Sequence, residues 1–297
     1  MISRVAGICA VLLGLLPTLG SADPLQNRHS LAAAVFKVRA VEASGKTRNG
    51  SAVLVAPGKL VTTCHVTHNA QAIELAQEGA SWPAQEAFVD TGHDVCVLSA
   101  PALSRAIPAV LGVPDQLKLG DVVIAVGYPR GGSLTLASGT IKGLHPYEGA
   151  RVLQVSAPFE QGASGGALFD AQGRLVGITA FKAVGGGDFH FALPLQWLSE
   201  HTLQNPSWIS ASDEAREAFW QRPRDRQPLF LQAASLEADG KWQALSHVAQ
   251  EWVRADHANP ASWLALGRAF VRLNRIDQAA QAFHRATTLV QSALQQP

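Results

Sequence analysis

Two kinds of hydrophobic pattern divide the chain. Between about residues 32 and 198, short runs rich in β-branched residues alternate with turn signals such as Pro57-Gly58. Short runs with turns at regular spacing predict an all-β barrel or sandwich. The runs that carry this prediction are residues 34–38, 51–55, 121–126 and 174–178. After Asn205-Pro206 the sequence becomes rich in Ala, Leu and Gln with helical periodicity, which predicts an all-α region running to the end.

The helical region contains an internal repeat of small and aromatic residues. Its clearer copy has the spacing W-x-x-L-G-x-x-F and then Ala, aromatic, Ala, at Trp263, Leu266, Gly267, Phe270, Ala279, Phe283 and Ala286. A degenerate copy precedes it at Leu229, Ala233, Leu236, Gly240 and Leu245. The spacing resembles the tetratricopeptide signature, which implies repeats over residues 226–297 after a linker and helix at 205–225. The alternative is an ordinary helical hairpin packed on the barrel. Because such repeats generally need about three units, we expect these two to pack against a helix around residues 213–220, against the barrel or against a partner protein.

The N-terminal segment has the features of a signal peptide. Arg4 precedes an apolar run at residues 5–19, and the small residues Gly20-Ser21-Ala22 follow. This arrangement predicts a signal peptide at residues 1–22 and a periplasmic or secreted protein. A retained membrane anchor is the alternative, but it needs roughly 20 apolar residues, and this run is shorter and contains Pro17. We expect no stable membrane span in the mature chain.

Composition and charge narrow the function classes. The chain is 47% hydrophobic and 16% charged, which is typical of globular proteins. Its formal net charge of +1 offers no reason to expect a nucleic acid as partner. His65 and His68 have an H-x-x-H spacing, but no Cys, Asp or Glu stands at metal-ligand spacing from them, so we expect neither a metal nor a cofactor.

The candidate chemistry lies in the β-rich region. Ser164 stands in the small-residue loop at residues 162–166 (Gly-Ala-Ser-Gly-Gly), before a strand-like run. Small residues let such a loop turn sharply, so that consecutive N–H groups can point at one spot. His65 ends an apolar strand upstream, and Asp94 opens another. The order His, Asp, Ser is that of the chymotrypsin-type triad.

The region from about residue 50 to 198 resembles trypsin-like serine proteases of the HtrA/Deg type. Further matches are the segments at residues 50–53, 126–129, 137–139, 153–154, 175–179 and 191–194. The resemblance implies a chymotrypsin-like double six-stranded barrel over residues 23–204 and an endopeptidase that acts on proteins or peptides. It implies that Ser164 is the nucleophile, His65 the general base and acid, and Asp94 the orienting carboxylate. The backbone N–H groups of Gly162 and Ser164 would form the oxyanion hole.

Two parts of the site depart from the family pattern or are weakly marked. Ala163 stands where HtrA-type enzymes usually have Asn and digestive enzymes of this fold have Asp, so the sequence does not say what holds the nucleophile loop. The primary specificity pocket is expected near Phe159, Phe189, His190 and Phe191. An aromatic ring there would favour small or apolar substrate side chains, and the alternative for His190 is a strand-surface residue.

Cys64 and Cys96 adjoin His65 and Asp94 in the sequence. If His65 and Asp94 are hydrogen-bonded, the two cysteines must lie close together, and in an exported protein they can form a disulfide. The alternative is two buried thiols.

For the whole protein, two hypotheses are open: an active exported endopeptidase whose repeats recruit substrates or partners, and a protease-like barrel with little or no turnover that serves as a binding platform.

Overall fold

The computed structural model describes residues 28–183, 189–198 and 217–294. The predicted signal peptide lies outside the described residues, as does most of the predicted linker. Within the described part, two closed antiparallel barrels of six strands each are followed by a helical region. The predicted fold class, a chymotrypsin-like double barrel with a helical tail, is confirmed.

The first barrel follows the short helix α1 (Arg28–Ala33). Its strands are β1 (Val35–Glu42), β2 (Thr47–Ala56), β3 (Lys59–Thr62), β4 (Ala70–Gln77), β5 (Ala80–Asp90) and β6 (Val95–Ser99), and the helical turn α2 (Cys64–Thr67) follows β3. They close in the order β1-β2-β3-β6-β5-β4.

The second barrel is built in the same way. Its strands are β7 (Val122–Gly127), β8 (Thr135–Tyr147), β9 (Ala150–Val155), β10 (Ala167–Asp170), β11 (Leu175–Lys182) and β12 (His190–Pro194). They close in the order β10-β11-β12-β9-β8-β7.

The hydrophobic runs form strands because both barrel interiors and the surfaces between elements must be filled. In β6, Val95, Cys96, Val97 and Leu98 are all buried, so this strand is covered on both faces. The same holds for β11 from Leu175 to Phe181. Such continuous apolar runs indicate strands without one solvent face, and both strands lie next to the site described below.

The helical region consists of α3 (Leu229–Ala238), α4 (Trp242–Ala255), α5 (Pro260–Arg272) and α6 (Ile276–Leu294). Loops of a few residues join successive helices, so they pack as two hairpins. Asn259 caps α5 by accepting a hydrogen bond from the N–H of Ala261, and Pro260 occupies the first helical position. A Cβ at Gly267 would lie 2.6 Å from Phe283 Cε1, so a small residue is required where α5 and α6 meet.

The helical region packs on the second barrel through aromatic side chains. Phe230 of α3 stacks on His145 of β8, with ring centroids 4.5 Å apart and planes inclined by 2°. Trp252 of α4 contacts the same imidazole at 5.6 Å. These contacts agree with the expectation that the helices pack on the barrel. In the part of the chain that the structure describes, no helix is long and apolar enough to cross a membrane.

Candidate active site

The three predicted triad residues come from one helical turn and two loops at the junction of the barrels. His65 lies in α2, directly after β3. Asp94 lies in the loop between β5 and β6, and Ser164 in the loop between β9 and β10. Two of the side chains therefore come from the first barrel and the third from the second barrel.

His65 and Asp94 are joined by two hydrogen bonds. The Nδ1 of His65 lies 2.7 Å from Asp94 Oδ2, and the backbone N–H of His65 donates to Asp94 Oδ1 at 2.9 Å. Asp94 is only 1% exposed and has a positive φ of 63°, a conformation that Asp tolerates better than most residues. A carboxylate on Nδ1 keeps the proton there and leaves Nε2 as the basic nitrogen.

The loop around Ser164 presents two unused backbone donors. Among the described residues, the N–H groups of Gly162 and Ser164 meet no acceptor, whereas the N–H of Ala163 between them donates to Glu160 O at 2.9 Å. Gly162 has φ of 94°, and a Cβ there would lie 2.5 Å from the backbone nitrogen of Arg130. Only glycine fits this conformation and this space. The loop can therefore offer both N–H groups to an oxyanion.

Buried hydroxyl groups hold this loop, because the side chain of Ala163 has no polar group to do so. Ser51 of β2 donates from Oγ to Gly162 O at 2.9 Å and accepts from the N–H of Tyr128 at 2.9 Å. Its own N–H donates to Ser164 O at 2.8 Å. Thr179 Oγ1 donates to Ala163 O at 2.6 Å. These bonds connect the loop to both barrels and account for its conformation without a carboxylate or amide at Ala163.

The Ser164 hydroxyl does not bond the imidazole in this structure. Its Oγ donates to the backbone oxygen of Ala180 on β11 at 2.8 Å. Within the described residues, no hydrogen bond joins it to His65. Rotation about the Cα–Cβ bond is the change needed to direct the hydroxyl elsewhere.

The four predicted pocket residues separate into two groups. Phe159 and His190 lie together, with ring centroids 4.9 Å apart. Phe191 is fully buried against Phe181, and Phe189 lines a cavity that faces the helical region. His190 and Phe191 are successive residues of β12 and point to opposite faces, so Phe191 does not share the surface that Phe159 and His190 form.

The structure joins Cys64 and Cys96 in a disulfide with a Cα–Cα distance of 5.0 Å. Cys96 pairs in register with Thr62 on β3, two residues before Cys64. The disulfide therefore joins the start of α2 to β6. Cys64 directly precedes His65 in the chain, and Cys96 follows Asp94 by two residues.

A second histidine links the two barrels near the site. His93 Nδ1 lies 2.6 Å from Asp90 Oδ2, and its Nε2 lies 2.8 Å from Glu148 Oε2. Burial lowers the pKa of His93, but the hydrogen bonds and charges of the two carboxylates outweigh burial and raise its pKa overall. The cationic form thus bridges Asp90 of the first barrel to the β8–β9 turn of the second. His65 and His68 belong to no group of three or more possible metal ligands within the described ranges.

Sequence reasoning missed Trp220, which follows the barrels in the chain. Its Nε1 donates to Asp94 Oδ2 at 3.0 Å, and its ring meets His65 edge-on at 5.3 Å. The residues between 198 and 220 carry no motif that indicates this contact. It depends on tertiary packing that brings Trp220 to Asp94, 126 residues away in the sequence.

The barrel region of this chain is similar in sequence to known proteins. Residues 50–178 match the family model of the trypsin-like peptidase domain. The periplasmic pH-dependent serine endoprotease DegQ of Escherichia coli K12 is 33% identical over 156 residues, which are 49% of this chain and 34% of that protein. The periplasmic serine endoprotease DegP of Salmonella typhimurium LT2 is 31% identical over 166 residues, which are 52% of this chain and 35% of that protein. The chain thus spans about a third of the length of these relatives.

Solved structures give the same likeness. The HtrA-type protease AlgW with a tripeptide is 30% identical with a TM-score of 0.53, over 62% of this chain and 62% of that chain. A serine endoprotease from Yersinia pestis is 26% identical with a TM-score of 0.55, over 62% of this chain and 66% of that chain. The barrels of this chain are therefore similar to HtrA-type serine proteases.

Proposed function

We propose that this protein is an exported serine endopeptidase that hydrolyses peptide bonds through an acyl-enzyme. The observation that carries the proposal is the pairing of His65 with the buried Asp94 at 2.7 Å. The Ser164 loop supports it with two N–H groups that meet no acceptor among the described residues. The likeness to DegQ, DegP and AlgW supports the same reaction class.

In the proposed mechanism, Ser164 Oγ leaves the Ala180 carbonyl and attacks the scissile carbonyl while its proton passes to His65 Nε2. The N–H groups of Gly162 and Ser164 stabilise the oxyanion of the tetrahedral intermediate. His65 then gives the proton to the departing amine as the C–N bond breaks, which leaves an acyl-enzyme. Asp94 stabilises the imidazolium and holds its orientation.

Hydrolysis of the acyl-enzyme completes the cycle, with His65 again as base. A proton of the water molecule passes to His65 Nε2 as the water oxygen attacks the acyl carbonyl. Collapse of the second tetrahedral intermediate returns the proton to Ser164 Oγ. The products are a carboxylic acid and the regenerated hydroxyl, so no other reactant is consumed.

The wider organisation is part of the proposal. Residues 1–22 would be a signal peptide, 23–204 the protease domain, 205–225 a linker and 226–297 two tetratricopeptide-like repeats that recruit a substrate or a partner. The signal-like sequence and the periplasmic relatives support export to the periplasm. The two helical hairpins support the repeat assignment. Cell fractionation of the full chain, with mass spectrometry of its mature N-terminus, tests the export.

A second candidate function is a binding platform with little turnover. The bond from Ser164 Oγ to Ala180 O favours it, because a hydroxyl held there does not donate to His65. In the endopeptidase proposal the same bond belongs to the resting enzyme, and the hydroxyl must leave Ala180 O before it can donate to His65.

Labelling with a fluorophosphonate probe separates the two candidates. We expect the parent protein to be labelled and the Ser164→Ala variant to be unlabelled, since the probe reacts only with an activated serine. A matched variant, Ser104→Ala, changes a serine outside the site and should label like the parent. Absence of labelling in the parent, also in the presence of peptide substrates, would overturn the endopeptidase proposal in favour of the platform.

A further inference from the structure

Trp220 makes three contacts at the centre of the site. Its indole N–H donates to Asp94 Oδ2 at 3.0 Å. Its ring meets the His65 imidazole edge-on at 5.3 Å, and it stacks on Phe181 of β11 at 4.7 Å with an interplanar angle of 12°. The indole therefore touches both members of the pair that activates the nucleophile, and it lies against the strand that also contacts Ser164.

The chain around Trp220 is anchored, so this contact is not an isolated surface side chain. Phe219 is fully buried, and its N–H donates to Gly92 O at 3.0 Å, two residues from Asp94. Its ring packs on Tyr147 of the second barrel at 4.9 Å. Gln227 donates from Nε2 to Trp220 O at 2.8 Å. The segment thus crosses from the first barrel to the second directly beside the site.

The hydrogen bond reaches a carboxylate that needs donors. Asp94 is 1% exposed, and water has little access to it. Its Oδ2 accepts from His65 Nδ1 and from Trp220 Nε1, while its Oδ1 accepts from the His65 backbone N–H. A buried carboxylate is stable and fixed in orientation only when its lone pairs are satisfied. Trp220 supplies the one side-chain donor to this carboxylate, within the described residues, that does not come from His65.

We propose that Trp220 is a positioning residue of the His65–Asp94 pair, supplied by the segment between the barrels and the helices. Its N–H fixes the rotation of the carboxylate so that Oδ2 points at His65 Nδ1, and its ring limits the tilt of the imidazole. This inference rests on the proposed endopeptidase function. It also ties activity to the docking of the segment, because the donor reaches Asp94 only when Phe219 is seated between the barrels.

The decisive variant is Trp220→Phe, which keeps an aromatic ring against Phe181 and His65 but has no N–H. We expect kcat to fall about tenfold with KM within about twofold of the parent, because a hydrogen bond to a charged group is lost from the catalytic pair and not from the substrate. The matched control is Trp197→Phe. Trp197 packs on Phe219 and His93 and donates to Glu148 O, so this variant perturbs the same aromatic cluster without removing a donor from Asp94. Circular dichroism of both variants checks that they fold.

A second readout does not require turnover. The proton between His65 Nδ1 and Asp94 Oδ2 is expected as a far-downfield resonance in the proton NMR spectrum. It should shift in Trp220→Phe and stay in place in Trp197→Phe. If the parent is not labelled by the fluorophosphonate probe, the proposed function fails, and this resonance still tests the inference.

Two results would overturn the inference. One is a Trp220→Phe variant with the kcat and the proton resonance of the parent. The other is a rise in kcat/KM in both Trp220→Phe and Trp220→Ala, which would mean that the indole covers the substrate site and has no positioning role.

Discussion

Acidification should weaken the docking of the helices on the second barrel, because it protonates His145. This imidazole is 2% exposed and stacks on Phe230 of α3. Its Nε2 lies 2.9 Å from Gln154 Oε1, and among the described residues its Nδ1 meets no hydrogen-bond partner. Burial lowers the pKa of His145 to about 4, and the hydrogen bond to Gln154 offsets only part of this effect.

The sign and size of the effect follow from linkage. An unfolded chain binds a proton at this histidine near pH 6.5, whereas the native chain does so near pH 4, so the unfolded state holds more protons between these values. Stability is therefore full above about pH 6.5 and is lost as the pH falls toward the folded pKa of His145. The loss from this group is about 2 kcal/mol at pH 5 and about 3 kcal/mol at pH 4.

The assay is urea unfolding of the parent and of His145→Gln at pH 7 and pH 5, followed by tryptophan fluorescence, since Trp252 contacts the imidazole. Glutamine stays neutral throughout this range, so other titrating groups cancel in the difference between the two proteins. Between pH 7 and pH 5, the free energy of unfolding of the variant should rise by about 2 kcal/mol relative to that of the parent. Lys142, Glu237 and Arg268 line the adjoining cavity and are unchanged in this comparison.

The control is His68→Gln, which removes an exposed imidazole from the other barrel. The free energy of unfolding of His68→Gln should not rise relative to that of the parent between pH 7 and pH 5. If the difference in unfolding free energy between the parent and His145→Gln is the same at both pH values, the native imidazole accepts a proton as readily as the unfolded one, and burial does not lower the pKa of His145.

Two further predictions concern the surroundings of the triad. Reduction of the Cys64–Cys96 cross-link, which closes a sequence separation of 32 residues, should cost about 3–4 kcal/mol of unfolding free energy; urea unfolding with and without reductant measures it, and peptide mapping of the exported protein that finds two free thiols would contradict the bond. Ser51→Ala should cost about 1–3 kcal/mol and slow fluorophosphonate labelling, because it leaves the Tyr128 N–H and the Gly162 carbonyl without their partner. The exposed Ser44→Ala is its control, and equal labelling rates in the two variants would show that Ser51 does not hold the loop.

Much of this protein was predictable from local sequence. Short β-branched runs separated by turns predicted strands, and β2, β7 and β11 contain or largely cover the runs at 51–55, 121–126 and 174–178. The candidate nucleophile loop was visible because small residues flank Ser164. The structure gives Gly162 a φ of 94°, which few other residues tolerate. The ordered positions of His65, Asp94 and Ser164 came from resemblance to a protease family, and the structure brings His65 and Asp94 within hydrogen-bond distance.

The strands and helices follow from local sequence, since strand and helix periodicity, turn glycines and caps act between residues close along the chain. The contacts that hold the site together arise from long-range packing. Ser51 reaches the Gly162 loop and Trp220 reaches Asp94 across 111 and 126 residues, and both contacts exist because two closed barrels bring distant segments to one junction. His145 is an ordinary strand residue in the sequence and becomes a buried neutral imidazole only when α3 packs on it. Such hydrogen bonds and burial leave no local pattern, because they depend on the positions of partners that the chain supplies far away.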